Sequence, residues 1–325
     1  MAHGLSSPCF SANKKDLKTW IAGGAPKGDP KSAPAPIKYD PTWTIGRPDA
    51  VFEIPKPVEV QSSGQMPYIY LRIPTDFGED KWEQAMEILP TERAVVHHVL
   101  VFVVDGGKVN GKRLENLDAT TGFFMGYVPG TSSVVFPKGE AKRLPKGATL
   151  LFQLHYTPNG RAVTDRTRIA LKFTSAPPQH VVQVYGIANT TFKIPPGDPN
   201  FSDTRTITVP QDVMLTAFMP HMHLRGKAMR YDVEYPDGKK ETLLNVPHYD
   251  FNWQLTYRYT KPKFIPKGSK ITLTGTFDNS TDNPYNPDPT RTVPWGLQTT
   301  DEMMLGYIEF FVPGAAPGEN LDIGS

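Results

Sequence analysis

The sequence predicts an all-β fold, two antiparallel β-sandwich domains behind one short N-terminal helix. Three observations lead there. The 325 residues include 33 prolines and 27 glycines, and the apolar runs between them are mostly about four to eight residues long, the length and punctuation of strands. Those runs recur at short intervals on both sides of one pause, at Ser175, Ala176, Pro177, Pro178 and Gln179. The chain is also long enough for two domains of ordinary size, each burying its own core. It shows no short repeat of the solenoid or propeller kind.

Taken in order, residues 13–21 predict a helix. Asn13 or Ser11 caps its start, Leu17, Trp20 and Ile21 share a face, and Gly23, Gly24 and Pro26 end it. A Pro/Lys/Gly-rich connector follows, so residues 1–42 stand apart from a first domain over 43–176. Its predicted strands are 51–54, 58–60, 68–73, 94–104, 133–136, 149–156 and 168–173, each bounded by Gly, Pro, Asn or Asp. The second domain, 177–325, repeats the style at 181–187, 205–209, 213–218, 229–235, 251–259, 270–277 and 304–312.

Bulk composition excludes some function classes. The 35 basic and 33 acidic residues leave a formal charge of +2, which is no footprint for nucleic acid or an anionic membrane. No apolar run is long enough for membrane insertion. The lone cysteine, Cys9, forbids an internal disulfide and reads as an unpaired surface thiol.

Six side chains carry the chemistry. His97 and His98 are adjacent, His155 follows, His221 and His223 flank Met222, and Met303 lies near the C-terminus. Strand alternation puts His221 and His223 on one face with Met222 opposite, and gives Met303 and Tyr307 a common face. His221, His223 and Met303 therefore make one predicted site, with a coordination position open for dioxygen. His155 shares a face with Gln153 and Leu151. Consecutive strand residues point apart, so His97 and His98 reach one ion only if the strand is bulged near 96–99. With that bulge, His97, His98 and His155 make a second site. Imidazole serves both oxidation states of copper and thioether sulfur favours the reduced one, whereas zinc rarely recruits methionine. His3, His180 and His248 read as exposed, and Met219 and Met304 as facing away from the donors.

At these residues the chain resembles the copper type II, ascorbate-dependent monooxygenases, and most closely their bacterial branch. The resemblance covers about residues 43–312. It rests on His97 and His98, on Gln153 to His155, on His221 to Gly226, on Phe277 to Ser280 and on Thr300 to Met303. It implies two jelly-roll-like domains facing each other across an open cleft. His97, His98 and His155 would hold an electron-storing copper, and His221, His223 and Met303 an oxygen-activating one, the two unbridged. Gln153 and Tyr307 match cleft residues near the reaction centre, and Tyr307 is the candidate to hydrogen-bond the substrate or dioxygen.

The implied reaction is hydroxylation of an activated C–H bond of a small organic substrate. It would use two copper ions, dioxygen, and single electrons from ascorbate or another donor. Residues 13–29 also resemble the last helix and tail of a c-type cytochrome module, without the Cys-x-x-Cys-His that attaches haem, so they read either as a helix packed on the first domain or as the remnant of such a module; an electron-donor cytochrome is a candidate partner. Copper–oxygen chemistry is commonly kept outside the cytosol, so a periplasmic or extracellular location is expected, although the chain shows no signal peptide. Two departures stand out. The disulfides of the animal enzymes cannot form here. The arginine with which peptide-processing members grip a substrate carboxylate falls at Met219, so the bidentate clamp is lost. The alternative function is a copper carrier without oxygenase activity.

Overall fold

The computed structural model describes residues 9–29, 31, 43–114, 120–128 and 130–316, with the backbone alone for 9–14. His3 and the side chain of Cys9 lie outside the described residues. The fold is 49% strand and 4% helical, with one helix among the described residues, so the all-β expectation holds. That helix spans Cys9–Ala22. It begins before the expected start, so Ser11 and Asn13 lie inside it instead of capping it. Its end is as expected: Gly24 adopts the left-handed conformation at φ 81°, and the Ala25 N–H closes back on the Trp20 carbonyl at 2.9 Å. Met1–Thr42 and Trp43–Ser325 are separate compact units.

Within 43–316 the strands form two pairs of packed sheets. In the first half, Ala50–Glu53, Arg168–Phe173, Lys81–Leu89, Glu140–Leu144 and His180–Val181 make one sheet, joined by Ser133–Val135. Ile69–Pro74, Thr149–Tyr156, Val96–Val104 and Met125–Tyr127 make the other. Met86, Ile88 and Leu171 from the first meet Val99, Val101 and Phe152 from the second in one buried core. In the second half, Gln183–Asn189, Met304–Phe311, Val213–His221 and Tyr257–Ile265 form one sheet. It packs on Phe201–Thr208, Lys270–Phe277, Gly226–Glu234 and Lys240–Val246 around Leu215, Phe218, Tyr231, Leu273 and Met304. The first strand of this half lies beside its last, and the second beside Lys270–Phe277, so connections arch over the ends of the sandwich.

Two strand predictions need correction. Residues 251–259 were expected to be one strand, but it starts only at Tyr257. The Asp250 side chain accepts the Asn252 N–H at 2.8 Å and its carbonyl accepts the Trp253 N–H at 2.9 Å, which turns the chain before the strand begins. Lys81–Leu89 went unrecognised because two carboxylates interrupt its apolar pattern, yet Glu83 and Glu87 are both buried. Glu87 is held inside by the Thr44 N–H and hydroxyl, at 2.6 and 2.9 Å.

Candidate metal centre

The first three imidazoles stand on adjacent strands of the inner sheet of the first half. His155 pairs directly with His98, but Tyr156 pairs with Val96, so His97 is the extra residue of a bulge. The distortion expected over 96–99 is therefore present, and it lets neighbouring histidines turn to one side. His97 and His98 bring their Nδ1 atoms to 3.1 Å. One nitrogen from each of His97, His98 and His155 lies within 4.8 Å of the others.

The rings are prepared as neutral ligands. Burial, aided by the facing His155 and His221, pulls His97 down to about 3, and burial with His221 pulls His155 down to about 4. Two buried ring nitrogens, His97 Nε2 and His155 Nδ1, have no hydrogen-bond partner. Orphaned lone pairs in a dry cluster are costly unless something fills the gap, so these residues fit a metal ion. Gln153 presents Oε1 to His98 Nε2 at 3.4 Å and donates through Nε2 to the Tyr70 hydroxyl at 2.8 Å.

His221 ends its strand, and His223 follows with its ring 5.3 Å away. Met222 is fully buried in the second core, so the alternation expected here is realised. His221 Nδ1 faces Gln254 Oε1 at 2.7 Å, and His223 Nδ1 faces the Asp301 carbonyl at 3.3 Å. Occupying Nδ1 orients each ring and leaves Nε2 as the free donor. Val213–His221 pairs with Met304–Phe311 so that Met219 opposes Tyr307 and His221 opposes Leu305. Beyond the strand ends, one oxygen of Glu302 takes the backbone N–H of both His223 and Met303, which brings these two residues together.

A buried polar network fixes this juxtaposition. Glu302 is fully buried and its carboxylate accepts the backbone N–H of His223 at 2.8 Å, Arg225 at 2.6 Å and Met303 at 3.2 Å. Burial pushes its carboxyl up to about 8, against the pull of those N–H groups and of Arg225. Arg225 is itself fully buried and donates to Asn279 Oδ1, the Thr300 carbonyl and the Asp288 carbonyl at 2.8, 3.0 and 3.4 Å. The three C-terminal motifs thus meet in one brace behind the donors. Gly226 belongs to it: a Cβ there would stand 2.6 Å from Met222 Cβ and 2.8 Å from Tyr249 Cδ1. The Tyr249 hydroxyl holds both the Met222 N–H and carbonyl, at 3.0 and 2.7 Å. Gly226→Ala is expected to push this ring aside and cost about 1–3 kcal/mol. An unchanged urea midpoint would remove the close-approach explanation.

The open cleft implied by the resemblance is not what the structure shows. The His97 ring stacks on Phe251 at 4.7 Å and 17°, and Phe251 meets His223 edge-on at 6.2 Å. Tyr68 donates to the Leu297 carbonyl at 2.7 Å across the halves, with its ring 4.5 Å from His155. Phe123 meets Tyr307 at 4.7 Å. These rings close the space, so the two donor sets are neighbours separated by Phe251. Two further readings are corrected. Met219 was expected to face away from the donors, but it lies two residues from His221 on the same face and clusters with Leu305 and Tyr307. His180 is half-buried and stacked on Phe311 at 4.1 Å, not exposed. Met304 does face the opposite core, and His248 is exposed.

Residues 181–322 match the family model for the copper type II ascorbate-dependent monooxygenase, C-terminal domain. The matched span is less than half of the chain. It contains His221, His223, Met303 and the whole Arg225–Asn279–Glu302 brace. Among solved structures, the chain is similar to the major capsid protein P2 of bacteriophage PM2, at 11% identity and a TM-score of 0.35, covering 81% of this chain and 97% of that one. It is also similar to a putative secreted protein from Eubacterium rectale, at 11% identity and a TM-score of 0.24, covering 79% and 71%. At such scores neither likeness defines the fold or activity of this chain.

Sequence reasoning missed several residues of the candidate site. Tyr68, Phe251 and Gln254 come from a strand edge and a turn, where no pattern marks them. Glu302 and Arg225 stood inside the quoted motifs, and a charged pair in otherwise apolar surroundings was the signal that could have found them. Beyond the donors, on the face carrying Met219 and Tyr307, lies a cavity of about 400 Å³ that Phe123, Phe136, Lys142 and Arg258 also line.

Proposed function

We propose that the chain is a copper-dependent monooxygenase that hydroxylates an activated C–H bond of a small organic substrate. Dioxygen and two single electrons, from ascorbate or a similar donor, complete the reaction. The observation that carries this reading is the buried pairing of an all-imidazole set with a two-imidazole set beside a thioether residue, inside a matched family domain. Copper, when bound, supplies the one-electron redox chemistry and the activation of dioxygen.

The protein's own residues do the rest. His221 and His223 are held by Gln254 and the Asp301 carbonyl with Nε2 free, and Met303 adds a soft donor. His97, His98 and His155 form the electron-storing set, and Gln153 orients His98. Phe251, in contact with imidazoles of both sets, excludes water and shortens the path of the second electron. Tyr307 lines the adjacent cavity and positions the substrate. Burial supports an enzyme over a carrier: His98, His223 and Met303 are 7%, 2% and 7% exposed, whereas handing copper to a partner requires accessible donors.

Ascorbate-driven oxygen uptake by the copper-loaded protein, coupled to a hydroxylated product, is the direct test. A carrier would show none coupled to product. His155→Ala is expected to leave copper at the His221 set while slowing the second electron, so that product formation falls steeply and one copper is retained. Loss of all copper from that variant would argue for a single shared cluster.

A further inference from the structure

The cavity beside the donors has one apolar end and one charged end, and the register of the second-half sheet orders them. Arg258, Ala217 and Glu309 lie across from one another on one rung; Met219 and Tyr307 form the next; His221 and Leu305 the next. Two residues along a strand advance about 7 Å, so the charged rung stands about 13 Å from the His221 rung. The cavity runs from the charged rung past Phe123 to Met219 and Tyr307, one rung short of His221, and none of the six candidate ligands lines it.

The charged end holds a buried ammonium whose direct partners are carbonyl oxygens. Lys142 is 6% exposed, and its amine donates to the carbonyls of Phe124 and Phe123, at 2.7 and 3.3 Å, with no ion pair among the described residues. It shares the face of Phe136 with Arg258, at 5.9 and 5.6 Å from the ring centre. Glu309 is already engaged, taking Arg258 Nη1 at 2.5 Å and the Thr216 hydroxyl at 2.9 Å. Glu140, two residues before Lys142, is buried with one oxygen unpartnered, and burial pushes its carboxyl up. Burial likewise pulls the Lys142 amine down to about 8. Two cations, Lys142 and Arg258, and one carboxylate, Glu309, line the cavity; Glu309 is bonded to Arg258 and also acts on Lys142, and Glu140 acts on Arg258.

We propose that this cavity binds an amphipathic carboxylate. Lys142 and the free edge of the Arg258 guanidinium anchor its head, and its apolar body lies along Phe123, Met219 and Tyr307. The carbon presented to His221, His223 and Met303 is then far from the carboxylate, not adjacent to it. The orientation, though not the binding, rests on the monooxygenase reading of those donors.

The test uses decanoate, decan-1-ol and decylamine, titrated calorimetrically into the full chain, metal-free and copper-loaded. Decanoate is expected to bind at least tenfold more tightly than decan-1-ol, and decylamine not at all, with or without copper. Lys142→Met should weaken decanoate at least tenfold and leave decan-1-ol unchanged. Arg258→Gln, at a partly exposed position, is a second variant with the same expectation should Lys142→Met fail to fold. Equal binding of the three probes, or undiminished decanoate binding in a folded variant, would overturn the proposal. Because binding is read without metal, a copper-loaded enzyme that binds decanoate but never oxidises it would overturn the orientation while leaving the carboxylate site standing.

Discussion

Met303→Ile is expected to abolish product formation while leaving the fold intact. Met303 is 7% exposed, and an exchange of similar volume costs less than about 1.5 kcal/mol in a packed site. What the exchange removes is the proposed sulfur donor, whose softness would favour reduced copper. X-ray absorption of the ascorbate-reduced protein should therefore lose its copper–sulfur signal in the variant, with the urea midpoint little changed. Normal turnover by a folded Met303→Ile protein would mean that the thioether has no part in the chemistry.

Glu302→Ala should have the largest effect on stability. The substitution strands three buried N–H groups, those of His223, Arg225 and Met303. Each unsatisfied buried donor costs about 1–3 kcal/mol. A loss of about 3–5 kcal/mol in the second half is the expected total, because the effects overlap. Copper affinity at the His221 set should fall about 10- to 100-fold, as for other outer partners of metal ligands. A denaturation midpoint close to that of the unchanged protein would show that the brace is dispensable.

The legible part of the fold was written in alternation or in short apolar runs. Lys270–Phe277 read directly as a strand because Ile, Leu, Gly and Phe alternate with Thr, and Thr149–Tyr156 and Arg168–Phe173 because short apolar runs lie between clear stops. Lys81–Leu89 did not, since its interior carboxylates look like surface residues until their partners from distant segments are known. The adjacent pair His97–His98 predicted its own bulge, because no regular strand turns both rings to one ion. Its neighbours Tyr68 and Phe251 could not be predicted, since they reach the imidazoles from the edge strand at Ile69 and from the turn at Asp250. Closure of the cleft was hidden for the same reason: it is made by contacts such as Tyr68 to Leu297, 229 residues apart in the chain.

The central claim is that two neighbouring sets of buried donors each hold their own copper. Elemental analysis of the copper-reconstituted chain, alongside His155→Ala prepared in the same way, tests it most directly. Two copper ions per unchanged chain and one per His155→Ala chain is the result the account predicts. A single copper in the unchanged chain, or none in the variant, would contradict it.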